Sequence, residues 1–167
     1  LDAPREDDAD IASRTAAIER ALANGTPICG MRDGHLHLRD RDADIDLGAV
    51  VDMSLALGGE ARYNIANLAG AALAAHLLGV PVQTIRETLA NFGRDASDNP
   101  GRLQRWRLGG VEVLLDYAHN PEGMTGLLRI AQHLRGPHRL ALLLGQAGNR
   151  EDADIRALAA SAAAFSP

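Results

Sequence analysis

Hydrophobic and polar positions along this chain change period several times, and each change marks an element. After the acidic, apolar-poor opening LDAPREDDAD, residues Ile11, Ala12, Thr15, Ala16, Ile18, Ala21 and Leu22 recur at roughly helical spacing until Asn24 and Gly25 interrupt them, which predicts a helix over about 10–23. PICGMRDGHLHLRD then alternates on either side of Asp33 and Gly34, a dipeptide suited to a two-residue hairpin turn, and this places His35 and His37 on one strand face. From Asp44 to Leu57 apolar residues interspersed with aspartates fit either a strand pair or a short helical turn, and Gly58 and Gly59 punctuate the run. ARYNIANLAGAALAAHLLGV is small and apolar almost all round, so a helix buried on most sides is expected. Gly79 ends it, Pro81 opens a further helix in PVQTIRETLANF, and Gly93 closes that one.

The polar, turn-rich stretch GRDASDNPG reads as a connector and a domain boundary. Beyond it RLQRWRL and VEVLLDYA flank Gly109 and Gly110 as a hairpin, and a helix starts near Pro121 or Glu122 and runs to about Leu134. HRLALLLG is a continuous apolar run of the kind that fills a parallel-sheet core, followed by the loop QAGNRED and an alanine-rich helix. Strand, helix, strand, loop and helix in that order predict an α/β domain. One such unit gives a sheet too narrow to be covered well, so the chain is expected to be part of something longer.

Composition narrows the chemistry. A chain of 167 residues with 46% hydrophobic and 23% charged content has the balance of one ordinary globular domain or two small ones. The net charge is -5 and every basic side chain is arginine, so no basic stripe points to nucleic acid, and the absence of lysine removes Schiff-base chemistry and the P-loop lysine. Cys29, the single cysteine, can form no internal disulfide and no cysteine-rich zinc site, which suggests a reducing compartment. Neither a leader-like stretch nor a membrane-length apolar run occurs, so the expected location is the cytoplasm. His35 and His37 lack a third ligand nearby and are read as polar residues on a solvated strand face, with no metal assigned.

Two polar clusters fall at strand ends, where ligands gather in open α/β sheets. The first is Asp116, Tyr117, His119 and Asn120 after VEVLL; the second is Gln146, Asn149 and Arg150, with Gly145 and Gly148, after LALLL. A carboxylate at a strand end can accept the hydroxyl protons of a ribose, while helix capping by Asp116 or Asn120 and simple chain turning at the glycines account for the same residues equally well. Asn64 and Asn67 share one face of an otherwise apolar helix, where an amide offers a donor and an acceptor to a purine edge; for Asn64, capping is the plainer reading. His76, His133 and His138 read as structural.

YNIANLAGAALAAHLLGV, NPGRL, LLDYAHNPEGM and GQAGNRED, in this order and spacing, resemble the Mur ligase family, and DNPGRL with DYAHNP looks most like the ligase module of cyanophycin synthetases. The resemblance runs from about residue 48 to the end and is less clear over the first 47. It implies the distal part of a P-loop-type central domain over 1–98, followed over 99–167 by the first half of a Rossmann-like C-terminal domain. The implied activity is an ATP-dependent amide ligase, using ATP and Mg2+ to activate a carboxylate as an acyl phosphate for attack by an amino group. By the same resemblance Asn67 would contact adenine, with Asn64 beside it; Arg102 the ribose and phosphates; and Asp116 the ribose hydroxyls. His119 and Asn120 would line the cleft, and Asn149 and Arg150 would face an amino-acid or peptide-like substrate. Arginine suits developing phosphate charge, and the rest of such catalysis is positioning.

The chain departs from the family pattern at Tyr63, where many relatives have histidine, and it lacks the phosphate loop and the magnesium-binding residues. It is therefore expected to be inactive by itself, its Mg2+ ligands lying upstream. A non-catalytic nucleotide- or peptide-binding module of the same fold is the alternative. A hydrolase using His119 is disfavoured because no serine or cysteine sits in a nucleophile-elbow context.

Overall fold

A computed structural model describes residues 8–41, 43–145 and 148–165. Their contacts divide the chain into two compact units, one comprising Leu1–Val50 and Ala66–Ala90, the other Val51–Ile65 and Asn91–Pro167. Among the described residues, no helix is long and apolar enough to cross a membrane.

In the first unit, α1 (Asp8–Ala23) leads into a three-stranded antiparallel meander of β1 (Ile28–Arg32), β2 (His35–Asp40) and β3 (Ala43–Ala49). The β1–β2 turn is the expected one: Asp33 and Gly34 both take positive φ, 51° and 79°, the twist-compatible conformation that a two-residue hairpin needs. Period-two alternation then sorts β2. Leu36 and Leu38 on one side of β2 are 0% exposed, and Leu47 of β3 and Val50 just after it are buried as well. Fully burying each such leucine contributes about 1.5–3 kcal/mol.

His35 and His37 project with β3 aspartates instead. His35 Nδ1 lies 3.0 Å from Asp46 Oδ2, and His37 Nδ1 lies 2.9 Å from Asp44 Oδ1. Arg32 bonds the same Asp44 at 2.8 Å. Arg32 and then His37 hold the Asp44 carboxyl below its ordinary range, and the Gly48 backbone N–H followed by His35 does the same for Asp46.

Helices α2 (Arg62–Leu77) and α3 (Val82–Asn91) follow two short 3-10 segments at Val50–Asp52 and Ser54–Gly59, which resolve the ambiguity of residues 44–57 as one strand and then tight turns. Within the first unit, His76 Nε2 reaches Asp40 at 2.8 Å and Arg86 donates to the Asp46 carbonyl at 2.8 Å, tying α2 to β2 and α3 to β3. The expectation that α2 is buried on most sides fails. Ile65, Leu68, Ala69 and Ala72 make one buried stripe, whereas Gly70, Ala71 and Ala74 are exposed and Leu78, just past the helix, is 85% exposed. An all-round run of alanine signals high helix propensity and says nothing about which side is covered.

The second unit contains the hairpin β4 (Gln104–Leu108) and β5 (Val111–Leu115), turned by Gly109 and Gly110, and the helices α4 (Pro121–Arg135) and α5 (Asp152–Ala163). Asn120 caps α4, its Oδ1 accepting the Gly123 N–H at 2.7 Å, with Pro121 in the first helical position. Met124 and Leu128 of α4 bury against Leu158 and Ala162 of α5, with Leu140 and Leu142 packed alongside.

HRLALLLG does not form the expected strand. No strand is assigned over 139–145, and Leu143 is 99% exposed. Its alternate residues Leu140 and Leu142 satisfy the α4–α5 core, but no described strand hydrogen-bonds to it, and an unpaired strand has no ladder. The observed architecture is mixed α/β, with one three-stranded and one two-stranded sheet, both antiparallel.

Candidate functional site

The site in the second unit is built where β5 stops. Asp116, the next residue, accepts the Leu103 N–H on Oδ2 at 2.8 Å. Leu103 lies at φ 47°, a left-handed conformation that costs an ordinary L-residue about 1–2 kcal/mol. It is held there by its side chain too, which is buried with Ala61, Leu127 and Ile130. The turn before it is tied down by its own bonds: Arg102 N–H to the Asn99 carbonyl at 3.2 Å, Gly101 N–H to Gln104 Oε1 at 2.9 Å, and Gln104 Nε2 to the Ala96 carbonyl at 2.8 Å.

From this turn Arg102 extends so that its guanidinium carbon lies 5.2 Å from the centre of the Tyr117 ring, a cation–π distance. The Tyr117 ring is in turn 5.6 Å from that of His119, inclined at 50°. His119 Nδ1 donates to the Tyr117 carbonyl at 3.2 Å, which in the neutral ring leaves Nε2 as an acceptor. Tyr63 closes the group from α2. Its hydroxyl is buried without a hydrogen-bond partner. Burial first, and then the neighbouring Asp116 carboxylate, push the phenol well above its ordinary range, with Arg102 opposing. The Tyr63 ring packs so closely on α4 that a methyl group built on Gly126 would lie 2.7 Å from its Cδ1.

The other residues singled out from the sequence fall in several places. His119 and Arg150 line one mostly apolar cleft with Leu144, Gly145, Asp154 and Ile155, so members of the two strand-end clusters meet there. Asn149 is exposed, and Gln146 lies outside the described residues. Asn120 has its oxygen committed to capping α4. Asn64 donates from Nδ2 to the Leu55 carbonyl at 2.9 Å, so it braces the preceding turn and does not cap the helix. Asn67 is exposed on α2 and belongs to the first unit. Among the described residues there is no group of three or more His, Cys, Asp or Glu that could hold a metal ion.

Sequence reasoning noticed Tyr63 only as a departure and gave Leu103 no role. A left-handed leucine carries no sequence mark, and the tyrosine's relation to Asp116 depends on contacts some fifty residues apart.

Residues 101–166, the stretch that carries Arg102, Asp116, Tyr117, His119 and Arg150, match the family model described as Mur ligase, glutamate ligase domain. Over this stretch the chain belongs to the Mur ligase family. It is similar to the cyanophycin synthetase of Crocosphaera subtropica, 32% identical over 74% of this chain and 14% of that protein. It is also similar to the cyanophycin synthetase of Synechocystis sp., 36% identical over 60% of the chain and 11% of that protein. A UDP-N-acetylmuramoyl-L-alanyl-D-glutamate--2,6-diaminopimelate ligase of Clostridium botulinum is 31% identical over 74% of the chain and 25% of its own length. The chain thus spans about a seventh of the length of the first of these relatives.

Proposed function

We propose that the chain supplies the nucleotide-facing part of an ATP-dependent carboxylate–amine ligase. The observation that carries this reading is the tie between Asp116 and the turn bearing Arg102: one carboxylate and one guanidinium sit on adjoining segments beside an aromatic pair. Arg102 would neutralise phosphate charge, and the remaining acceptor capacity of Asp116 would take ribose hydroxyls. His119, with Nε2 free, and Asn120, through its uncommitted Nδ2, would line the same site. Asn67 and Asn64 of α2 are assigned to the adenine side, and Asn149 and Arg150 to an amino-acid or peptide-like substrate.

In this reading residues 1–98 correspond to the distal part of a P-loop-type central domain and 99–167 to the first half of a Rossmann-like C-terminal domain, in a cytoplasmic protein. The reaction joins a carboxylate to an amine: the carboxylate takes the γ-phosphoryl group, the amine nitrogen attacks the acyl carbon, and phosphate leaves, with ADP as the other product. Mg2+ would accompany the ATP phosphates.

Since the chain contains no lysine to cradle the β- and γ-phosphates, MgATP should bind the isolated chain without being turned over. Calorimetric titration with MgATP, paired with an ADP-release assay, tests both halves. Saturable binding with no release is expected, and a clear rate of release contradicts the inactivity of the chain alone. The absence of any lysine equally favours a second reading, a non-catalytic nucleotide- or peptide-binding module of the same fold. Reconstitution of amide synthesis with the remaining parts of a relative separates the two.

A further inference from the structure

We propose that Asp116 is a positioning residue for Arg102, holding the left-handed turn from which this arginine is delivered onto the Tyr117 ring. The inference deepens the nucleotide reading above and rests on it for its ligand.

Leu103 is the point at which the chain must be held. It follows Arg102 directly, its φ of 47° is one that leucine adopts only when its surroundings over-determine it, and it has two restraints. One is its side chain, buried with Ala61, Leu127 and Ile130; the other is its N–H, given to Asp116 Oδ2 at 2.8 Å. Without the carboxylate that part-buried N–H has no acceptor, and the turn has reason to relax toward ordinary backbone angles and carry Arg102 off Tyr117.

The second carboxylate oxygen has no such duty. A carboxylate accepts on both oxygens, so one side chain can hold the turn and still receive a ribose hydroxyl. The Tyr63 hydroxyl is buried without a hydrogen-bond partner, and after burial the Asp116 charge is the next cause that raises its pKa. Ribose recognition and phosphate positioning therefore meet in one residue, and they can be separated experimentally.

The test compares the 167-residue chain with Asp116→Ala and Asp116→Asn, since asparagine keeps an acceptor oxygen for the Leu103 N–H and alanine does not. Three quantities are read: hydrogen exchange of the Leu103 amide, the ring-current shift of the Arg102 side-chain resonances, and affinity for inorganic tripolyphosphate, which has no ribose. In D116A, Leu103 should exchange at least about tenfold faster, Arg102 should lose its ring-current shift, and tripolyphosphate should bind about tenfold more weakly, with D116N restoring most of each. If D116A weakens ATP binding but leaves Leu103 exchange, the Arg102 resonances and tripolyphosphate affinity unchanged, Asp116 is a ribose ligand only and the proposal is overturned.

Should D116A not fold, the wild-type chain decides: a scalar coupling across the hydrogen bond from Leu103 N to the Asp116 carboxyl carbon is expected, and its absence overturns the proposal. If no form of the protein binds tripolyphosphate or ATP, the nucleotide reading fails, while exchange at Leu103 and the Arg102 shift still decide the positioning role.

Discussion

The hairpins β1–β2 and β4–β5 are made by the same rule and reach opposite ends in burial. Each turns through a dipeptide with two positive φ values, and each pairs residues in an unbroken antiparallel register. In β2 the alternation delivers Leu36 and Leu38 to complete burial. In β4–β5 the pairs Gln104 with Leu115, Trp106 with Val113 and Leu108 with Val111 share one almost wholly apolar face. Yet Leu108 is 66% exposed, and Trp106, Val111 and Leu115 are exposed as well. Pairing and face are local properties written in turn residues and period; burial needs a second layer, and the hairpin's own residues do not specify it.

The largest effect that sharpens this contrast is in β2. Leu38→Ala should destabilise the protein by about 2–5 kcal/mol, read by urea denaturation, because it removes a fully buried side chain from the sheet core. Next comes the tight contact in the second unit. Gly126→Ala should cost about 1–3 kcal/mol because its methyl group meets the Tyr63 ring at 2.7 Å, showing that this unit is closely packed where its helix, and not its hairpin, is concerned.

A third expectation concerns the exposed polar face of the meander. Asp44 and Asp46 have carboxyls held below the ordinary 3.8, so the stability they contribute is present above that value and is lost as pH falls through their lower folded values. An Asp44→Asn, Asp46→Asn double variant should therefore show a flatter loss of stability on acidification below about pH 4 than the parent, in circular-dichroism melts. Tyr63→Phe removes a buried hydroxyl without a partner and should leave stability within about 1 kcal/mol of the parent or raise it. Smallest of all, Leu108→Ala should change stability by no more than about 0.5 kcal/mol; a cost like that of Leu38→Ala would show that the hairpin face is covered in solution and break the comparison.

The elements whose signals are local were legible from the sequence: α1, the Asp33–Gly34 turn, α3 with its closing glycine, the Gly109–Gly110 hairpin, and α4 beginning at Pro121. Gly93 could be read as a stop, although its second constraint could not: at φ 88°, a side chain there would also meet Leu55 at 2.6 Å. The failures share a cause. HRLALLLG has the composition of a central strand, but a strand exists only with a partner, and the run instead lays Leu140 and Leu142 on the α4–α5 core. The alanine-rich α2 gave no hint of which side would be covered.

At the candidate site, residue types were legible but their engagements were not. Asn120 and Asn64 are committed to backbone partners, His119 and Arg150 meet in a cleft, and Asp116 holds Leu103 in a bond spanning thirteen residues that no motif records.

The nucleotide reading is most directly tested by amide nuclear magnetic resonance of the full chain titrated with MgATP. Saturable shifts centred on Arg102, Leu103, Asp116, Tyr117 and His119 are predicted. Spectra unchanged at these five residues at saturating nucleotide, or changes confined to the β1–β3 meander, would contradict it.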